Sequence, residues 1–354
     1  MSLQGQRKLQ IGIVGLGRMG QRHALNILYR TPHANLLCVC SPAPADREWA
    51  KKNLPSEINF LTSFEEMIET PGLEAVIIAS ATPVHASQSL EALNRGIHVL
   101  CEKPVTLDVT ELQNLITESK RNTTAKIMVG FTRRFDASYK DARKKVLDGK
   151  IGEPVVIRSH GCEACQDGSF FVEYARQSGG IFVDTTIHDI DLALSFFGED
   201  VQPRKLWATG VIAKYPELEK FGDYDNAVGI VEFWGGKIAY FYNNRIAVHG
   251  YDNTTEIVGT GGKLSINANS RQNRVEVTDG SGHWNDITPS WIDRYEEAFV
   301  TEVNEFTEAI IQGNDLPLSF ASALTSLKIG LALQESLQTG ESVSFDEQGN
   351  RISK

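Results

Sequence analysis

The sequence predicts an α/β protein in which an N-terminal doubly wound parallel sheet precedes an α/β domain with a large, mostly antiparallel open sheet. Apolar runs alternate with helical patterns up to about Gly130, and longer, aromatic-rich alternating runs follow Pro154. At 354 residues the chain exceeds what one core usually holds. We therefore expect two domains, residues 1–131 and 132–354, with the C-terminal helix as a candidate to pack back on the first.

The alternation of strand and helix patterns defines the N-terminal half. Apolar runs lie at 9–15, 36–40, 75–79, 98–101 and 126–130, with helical patterns at 63–70, 85–95 and 108–121. Such strands pair in parallel through right-handed crossovers, and ligands bind outside their carboxyl ends. Later runs at 205–213, 227–234, 237–245, 255–259 and 275–278 are typical of an antiparallel sheet with one covered face. Helical patterns at 295–312 and 321–338 close the chain.

A glycine-rich turn follows the first predicted strand. The apolar run that ends at Val14 leads into Gly15-x-Gly17-x-x-Gly20, and helical spacing continues from Met19. In this context the first glycine allows a tight turn, the second lets a pyrophosphate approach the backbone, and the third lets helix and strand pack closely. Free N–H groups at the helix N-terminus then favour the phosphate charge. The stretch is predicted to be a Rossmann dinucleotide-binding fingerprint.

The residue that ends the second strand bears on the choice of cofactor. A carboxylate there accepts hydrogen bonds from the ribose 2′-hydroxyl of NAD, whereas a small polar residue with a nearby arginine tolerates the 2′-phosphate of NADP. Ser41 stands where an acidic residue is expected, and Arg47 lies in the next segment. The sequence favours NADP and leaves NAD open. The alternative is that Ser41 only caps the following helix.

Lys103 follows a buried strand in the segment Glu102-Lys103-Pro104. Because this strand ends at the ligand edge of the sheet and Pro104 stiffens the turn, we expect Lys103 to face the nicotinamide end of a bound dinucleotide. An ammonium group there would stabilise the alkoxide that develops as a hydroxyl is oxidised. The alternative is a solvated surface lysine.

Asp184 and His188 stand four residues apart at the start of a helical pattern that ends before Gly198. One helix would carry both side chains on one face. An unperturbed imidazole titrates at about pH 6.5, which suits a general base, and Asp184 can orient the ring or hold a substrate hydroxyl. The alternatives are an N-cap role for Asp184 and a packing role for His188. A nicotinamide site in the same chain favours the catalytic interpretation.

The pair Cys162-x-x-Cys165 could suggest a metal or redox site. Zinc usually needs four nitrogen or sulfur ligands, and only His160 lies close to these thiols in the sequence. There is no second C-x-x-C, and the pair does not open a thioredoxin-like unit. We therefore expect two loop thiols near a substrate pocket and no metal site.

Five motifs together resemble the Gfo/Idh/MocA oxidoreductases and, within them, most resemble the inositol 2-dehydrogenases. The motifs are Gly15-x-Gly17-x-x-Gly20, Thr82-Pro83-x-His85, Glu102-Lys103-Pro104, Gly130-Phe131-x-Arg133-Arg134-Phe135-Asp136 and Asp184-x-x-x-His188. The resemblance covers nearly the whole chain. It implies a Rossmann domain followed by an α/β domain whose open sheet often forms the oligomer interface.

The resemblance also implies residue roles. Lys103, Asp184 and His188 match the family's catalytic lysine, aspartate and histidine, and Arg134 would help frame the site. The expected substrate-binding residues are these four and His160. The expected cofactor-binding residues are Gly15, Gly17, Arg18, Met19, Gly20, Ser41, Arg47, Thr82, Pro83, His85 and Glu102.

Two departures from the inositol 2-dehydrogenases leave the substrate and cofactor open. Ser41 replaces an acidic residue, and residues 161–165 differ from the Arg-Asp-Pro type of sequence in a loop that shapes the substrate pocket. The expected function is an NAD(P)-dependent oxidoreductase that transfers a hydride between nicotinamide and a secondary alcohol or ketone of a cyclic polyol or sugar. The alternatives are a dinucleotide-sensing regulator on the same scaffold and a dihydrodiol or imine reductase.

Composition argues against other classes of protein. The net charge of −10, without a basic block, argues against nucleic acid or an anionic membrane as partner. Residues 1–8 lack the apolar core of a signal segment, no stretch approaches a membrane span, and five cysteines do not form a disulfide scaffold, so we expect a cytoplasmic protein. The exposed face of the open antiparallel sheet needs a surface to pack against, so we expect a homodimer or homotetramer.

Overall fold

The computed structural model describes residues 7–122, 124–165 and 168–352. The N-terminal segment 1–8, which we expect not to be a signal sequence, therefore lies mostly outside the described residues. The described chain forms two compact units. The first holds the residues up to Phe135 and Glu297–Leu324, and the second holds Asp136–Glu296 and the residues from Thr325 onward. The domain limits at residues 131 and 132 stay a prediction. Within the described ranges, every helix is too short or too polar to cross a bilayer.

The first unit is built on a six-stranded parallel sheet. Its strands are β1 (Leu9–Val14), β2 (Ala34–Cys40), β3 (Asn59–Leu61), β4 (Ala75–Ile78), β5 (His98–Cys101) and β6 (Ile127–Val129). Its helices are α1 (Arg18–Arg30), α2 (Pro44–Asn53), α3 (Phe64–Ile68), α4 (Thr82–Asn94) and α5 (Val109–Arg121). The strand order β3-β2-β1-β4-β5-β6 changes direction between β1 and β4, as in a doubly wound sheet. The predicted fold of the N-terminal part is confirmed.

Burial explains why these strands are continuous apolar runs. All four residues of β4 are fully buried, as are Leu9, Ile11 and Ile13 of β1. Helices on both faces of a parallel sheet remove the alternation that an exposed face would impose. Strand β3 was not predicted because its three residues are only partly buried and too few to form a pattern.

The second unit contains a seven-stranded mixed sheet. Its strands are β7 (Pro154–Ala164), β8 (Pro203–Val211), β9 (Asn226–Phe233), β10 (Lys237–Ala247), β11 (Asp252–Gly259), β12 (Gly262–Ile266) and β15 (Val343–Ser344), and β13 (Val277–Asp279) with β14 (Gly282–Trp284) form a separate hairpin. The order is β12-β11-β7-β10-β9-β8-β15, in which β7 and β10 pair in parallel and the other neighbours pair antiparallel. The mostly antiparallel sheet is confirmed, although the run at 275–278 belongs to the hairpin and not to this sheet.

The remaining helices belong mainly to the second unit. They are α6 (Ala137–Leu147), α7 (Gly168–Ala175), α8 (Ile181–Asp184), α9 (Ile187–Phe197), α10 (Trp291–Gln312) and α11 (Ser322–Thr339), with 3₁₀ helices at Thr132–Phe135 and Pro216–Phe221. Helix α10 contains non-helical backbone at Tyr295, just before the chain passes from the second unit to the first.

The seven-stranded sheet has one covered face and one open face. The covered face carries Leu206, Val231, Ala239, Ile157 and Ile257, which lie side by side across five strands and are 1% exposed or less. Helix α9 packs on this face against β7 and β10, and Ser336 on α11 accepts a hydrogen bond from the N–H of Ala208. The next residues along the strands point the other way, and Trp207 and Ile230 there are 42% and 38% exposed.

Candidate functional site

The glycine turn after β1 has the shape that a dinucleotide pyrophosphate requires. A Cβ on Gly20 would lie 1.7 Å from the carbonyl oxygen of Gly15, so only glycine allows α1 to pack this closely on the turn. A Cβ on Gly17 would meet nothing within 4 Å in the described part of the chain, so the space beside this residue is open. Helix α1 begins at the exposed Arg18, and Met19 is half-buried behind it. The residues present therefore fit a bound pyrophosphate at the N-terminus of α1.

The end of β2 carries a carboxylate that the sequence analysis missed. Ser41 donates its hydroxyl to Asp46 Oδ2 at 2.5 Å and accepts the N–H of Ala43, which fixes the turn into α2. Asp46 lies in the first turn of that helix. The guanidinium of Arg47 lies over the ring of Phe60, 5.8 Å from its centre. An acidic residue in the first turn of the helix after β2 is a sequence signal that could have identified Asp46.

His85 joins two loops at the carboxyl edge of the first sheet. It is 2% exposed, and its ring nitrogens lie 2.9 Å from the carbonyl oxygen of Pro104 and 3.0 Å from that of Ser80. These contacts tie the start of α4, with half-buried Thr82 and exposed Pro83, to the loop that contains Lys103. The structure thus gives His85 a positioning role, while Thr82 and Pro83 are the more accessible members of their motif.

Glu102, the residue before Lys103, is anchored inside the first unit. It is 8% exposed, and its Oε1 lies 2.8 Å from Nε2 of His23 on α1. Glu302 on α10 is fully buried nearby and accepts the hydroxyl of Thr132 at 3.0 Å. Burial and the charge of Glu102 raise the pKa of Glu302 well above its usual value.

Lys103 itself is half-buried, and Arg134, in the 3₁₀ helix after β6, is 8% exposed. The described contacts give Glu102 a partner inside the protein, and a contact between Glu102 and the cofactor stays a prediction.

Asp184 and His188 lie in two short helices and not in one. Asp184 is the last residue of α8 and His188 the second residue of α9, with Thr185 and Thr186 between these helices. The expectation that a single helix presents both side chains on one face is therefore wrong. The break is stabilised by Thr186, whose hydroxyl donates to Asn243 Oδ1 on β10 at 2.7 Å.

The carboxylate of Asp184 is fixed by two donors from distant parts of the chain. Tyr174 donates its hydroxyl to Oδ1 at 2.8 Å, and Arg245 donates Nη2–H to Oδ2 at 3.0 Å. Arg245 also donates Nη1–H to Asp223 at 2.5 Å. Burial lowers the pKa of Arg245, but the charges of Asp223 and Asp184 more than offset this and raise it above its usual value. The negative charge of Asp184 raises the pKa of Tyr174.

His160 lies on the open face of the second sheet. Its neighbour Ser159 donates to Asp189 on α9, so alternation along β7 points His160 away from that helix. There its Nε2 lies 3.1 Å from Oδ2 of Asp252 on β11, and this contact, with help from Ser270, lowers the pKa of Asp252 to about 2. The structure thus groups His160 with Asp252, and a role of His160 in substrate binding stays a prediction.

The two thiols of the C-x-x-C pair have different environments. Cys162 lies within β7 and not in a loop, and burial raises its pKa to about 12. Cys165 follows the strand, and hydrogen bonds from Lys214 and Tyr215 lower its pKa. All five cysteines of the chain are free thiols.

The fold and the glycine turn define a class: dinucleotide-binding α/β proteins in which a sheet-based unit follows the Rossmann unit. Comparison with protein families assigns the chain within this class. Residues 9–131 match the oxidoreductase family with an NAD-binding Rossmann fold, and residues 139–265 match the Gfo/Idh/MocA C-terminal domain. The chain belongs to the Gfo/Idh/MocA oxidoreductases, which confirms the resemblance seen in the motifs.

Individual relatives agree with this assignment. The chain is 31% identical to scyllo-inositol 2-dehydrogenase (NAD(+)) of Bacillus subtilis, over 96% of this chain and 97% of the relative. It is also 31% identical to Myo-inositol 2-dehydrogenase of Thermotoga maritima, over 96% and 99%. A crystal structure of scyllo-inositol dehydrogenase from Lactobacillus casei with bound NAD(H) and scyllo-inositol aligns with a TM-score of 0.90 at 35% identity, covering 96% of this chain and 99% of that one.

Proposed function

We propose that the chain is an NAD-dependent dehydrogenase that oxidises one secondary hydroxyl of an inositol, or reduces the corresponding ketone. The observation that carries the proposal is the similarity to the Lactobacillus casei enzyme solved with NAD(H) and scyllo-inositol. The similarity runs through both units, so it supports the cofactor and the substrate class together. The open space beside Gly17 supports the same cofactor class.

In this proposal Lys103, Asp184 and His188 carry the chemistry. NAD⁺, when bound, supplies the hydride acceptor. His188 removes the hydroxyl proton, because a neutral imidazole is a competent base near neutral pH. The ammonium of Lys103 stabilises the developing charge on that oxygen, and Arg134 helps frame the polyol.

Asp184 holds a substrate hydroxyl or orients His188. Each oxygen of a carboxylate can accept two hydrogen bonds. The bonds from Tyr174 and Arg245 use one acceptor position on each oxygen and fix the direction of the carboxylate. A fixed acceptor discriminates among polyols through paired hydrogen bonds.

We propose NAD, and not the NADP that Ser41 favoured, as the cofactor. Asp46 places a carboxylate beside Ser41 at the end of β2, where it would repel a 2′-phosphate and accept a ribose hydroxyl. Arg47 is the cation that was expected near a 2′-phosphate, and its guanidinium instead lies over the ring of Phe60. The relative from Bacillus subtilis is named for NAD(+) and agrees with this choice.

We further propose a cytoplasmic homodimer or homotetramer. The free thiols support a reducing compartment. Exposed Trp207, Val211, Ile230 and Ile238 on the open face of the second sheet support an interface between copies of the chain.

Initial rates with scyllo-inositol and myo-inositol test the proposed function. NAD⁺ and NADP⁺ are compared by the absorbance of the reduced nicotinamide, and we expect turnover with NAD⁺ to be the faster. Because His188 is the proposed base, His188→Ala should lower kcat by about 10²- to 10⁴-fold. Binding of NADH, followed by its fluorescence, should persist in this variant.

The matched control is His283→Ala, which removes an exposed histidine on the β13–β14 hairpin. It should leave kcat unchanged. The proposal fails if the wild-type chain reduces NAD⁺ with neither inositol, and binding of NADH without turnover would instead favour a sensor. Near-normal turnover by His188→Ala would remove His188 from the mechanism.

A further inference from the structure

The open face of the second sheet carries a cluster of metal-ligand side chains that the proposed reaction does not use. His160 and Cys162 are two residues apart on β7, so they point to the same face. Asp252 lies directly opposite Cys162 in the antiparallel pairing of β7 and β11. One donor atom from each of these three side chains lies within 4.8 Å of the other two.

The carboxylate of Asp252 is oriented for coordination. Ser270 donates its hydroxyl to Oδ1, which leaves Oδ2 facing two imidazoles. The Nε2 atom of His160 lies 3.1 Å from Oδ2, and that of His249 lies 3.8 Å from it. A hydrogen bond that fixes a ligating carboxylate is a typical outer-shell feature of metal sites.

These separations can be compared with those of a tetrahedral site. With bonds of about 2.0–2.3 Å to the metal, donor atoms lie roughly 3.3–3.8 Å apart. The His160–Asp252 and His249–Asp252 distances are close to that range, and the sulfur of Cys162 lies within 4.8 Å of the donor atoms of His160 and Asp252. The exposed side chain of His249 lies outside this group of three and has to move towards it to become the fourth ligand. One thiolate, two imidazoles and one carboxylate suit Zn²⁺ and its transition-metal neighbours, and not Ca²⁺ or Mg²⁺, which prefer oxygen ligands.

We propose that His160, Cys162, His249 and Asp252 bind one transition-metal ion of the Zn²⁺ type on each chain. Binding displaces the thiol proton of Cys162 to solvent and forms a metal–thiolate bond. In the single chain Cys162 is 5% exposed, whereas the side chains of His160 and His249 are 34% and 54% exposed, so the imidazole side of the cluster is the one that solvent reaches. The bound ion links β7 to β11 and does not take part in the proposed hydride transfer.

Sequence spacing could not reveal this site. The sequence shows that His160 stands two residues before Cys162. Asp252 comes close to them only through the pairing of β7 with β11, and His249 lies in the turn before β11. The expectation of no metal rested on the absence of further ligands near Cys162 in the sequence.

Cobalt(II) binding to the full, metal-stripped chain tests the proposal. We expect one equivalent of Co²⁺ to bind, with a thiolate-to-cobalt charge-transfer band and the intense d–d bands of tetrahedral cobalt. Cys162→Ser should abolish the charge-transfer band and weaken binding at least about 100-fold, since loss of a ligand exceeds loss of an outer-shell partner. The matched control Cys165→Ser should keep both the band and the affinity.

His249→Ala provides a variant that does not threaten folding, because its side chain is largely exposed. It removes one proposed ligand and should therefore also weaken Co²⁺ binding at least about 100-fold. The proposal is overturned if the wild-type chain shows no thiolate–cobalt band at one equivalent. It is also overturned if folded Cys162→Ser binds like the wild type or if His249→Ala binds with unchanged affinity. All these readouts are independent of dehydrogenase activity.

Discussion

The guanidinium of Arg245 neutralises two carboxylates in the second unit. It bonds Asp223 through Nη1 and Asp184 through Nη2, and it lies over the ring of Phe171, 5.1 Å from the ring centre. A lysine ammonium is a point charge and does not reproduce this forked geometry. A buried carboxylate without a counter-charge is costly, and Arg245 supplies such a charge while it holds Asp184 in place.

Removal of Arg245 should therefore destabilise the protein. Arg245→Met removes the cation that bonds both Asp223 and Asp184, and we expect the free energy of unfolding to fall by about 3–5 kcal/mol. Adding Asp223→Asn should restore part of this loss, because the buried charge of Asp223 disappears. Urea unfolding followed by circular dichroism at neutral pH measures both effects.

The matched control is Arg121→Met at the end of α5, where Arg121 pairs with Glu118 and is 71% exposed. A surface pair contributes at most about 1 kcal/mol, so this variant should unfold much like the wild type. A loss below about 1 kcal/mol in Arg245→Met would contradict the interpretation of the buried pair.

Single residues differ in how far the sequence could predict them. The sequence predicts Lys103, Asp184 and His188 because a strand end, a motif and their chemistry agree, and their catalytic roles stay a prediction. Tyr174 and Arg245 could not be found, because only tertiary structure brings them to Asp184. Glu102 and His85 show a different limit: a motif names a residue but does not say whether its side chain points to a ligand or into the protein.

At the scale of elements, α10 brings a buried acid into the first unit. Glu302 accepts the hydroxyl of Thr132, and Glu102 lies close enough for its charge to act on it. Burial and that charge raise the pKa of Glu302, so the folded state favours its protonated form. The contribution to stability is then complete below the unfolded carboxyl pKa of about 4.3 and is lost as the pH rises towards the raised folded value.

Glu302→Gln should therefore stabilise the protein more as the pH rises. Glutamine resembles the protonated acid at every pH, so the two proteins should have similar Tm values near pH 4. By pH 8 the variant should gain about 1–3 kcal/mol, because it no longer ionises a buried group. Thermal unfolding of both proteins across this range gives the difference.

Glu308→Gln, which changes an exposed residue of the same helix, is the control. Its effect should stay within about 0.5 kcal/mol and not vary with pH. If the difference in stability between the wild type and Glu302→Gln did not change with pH, the raised pKa of Glu302 would be contradicted.

Elements that the sequence predicted are those with strong periodic patterns. The buried strands β1, β4 and β5 follow from continuous apolar runs, since both of their faces are covered. The break between α8 and α9 was missed because it depends on the contact between Thr186 and Asn243, which lies on another strand. The strand β7 was missed because its two faces carry mixed polar residues that pair with distant partners.

For the whole molecule, the parallel pairing in the first sheet followed from the alternation of strand and helix patterns, but the register of the second sheet could not be predicted. That register sets which residues share the open face. Trp207 on β8 lies beside Ile230 on β9, and Tyr240 on β10 continues the row. An exposed apolar row of this kind on an antiparallel sheet favours contact with a second copy of the chain.

Negative charges introduced into this apolar row should dissociate the oligomer into single chains. We expect light scattering to give the mass of a dimer or tetramer for the wild-type chain, and of a monomer for Trp207→Glu combined with Ile230→Glu. Stable interfaces bury about 1,600 Å², and unpaired charges at their centre are strongly unfavourable. Circular dichroism should show that the variant stays folded, because neither side chain belongs to the covered core.

The control is Tyr29→Glu, at a residue of α1 that is 71% exposed, and it should keep the wild-type mass. A wild-type monomer at tens of micromolar, or a doubly charged variant of unchanged mass, would show that the open face is not the interface.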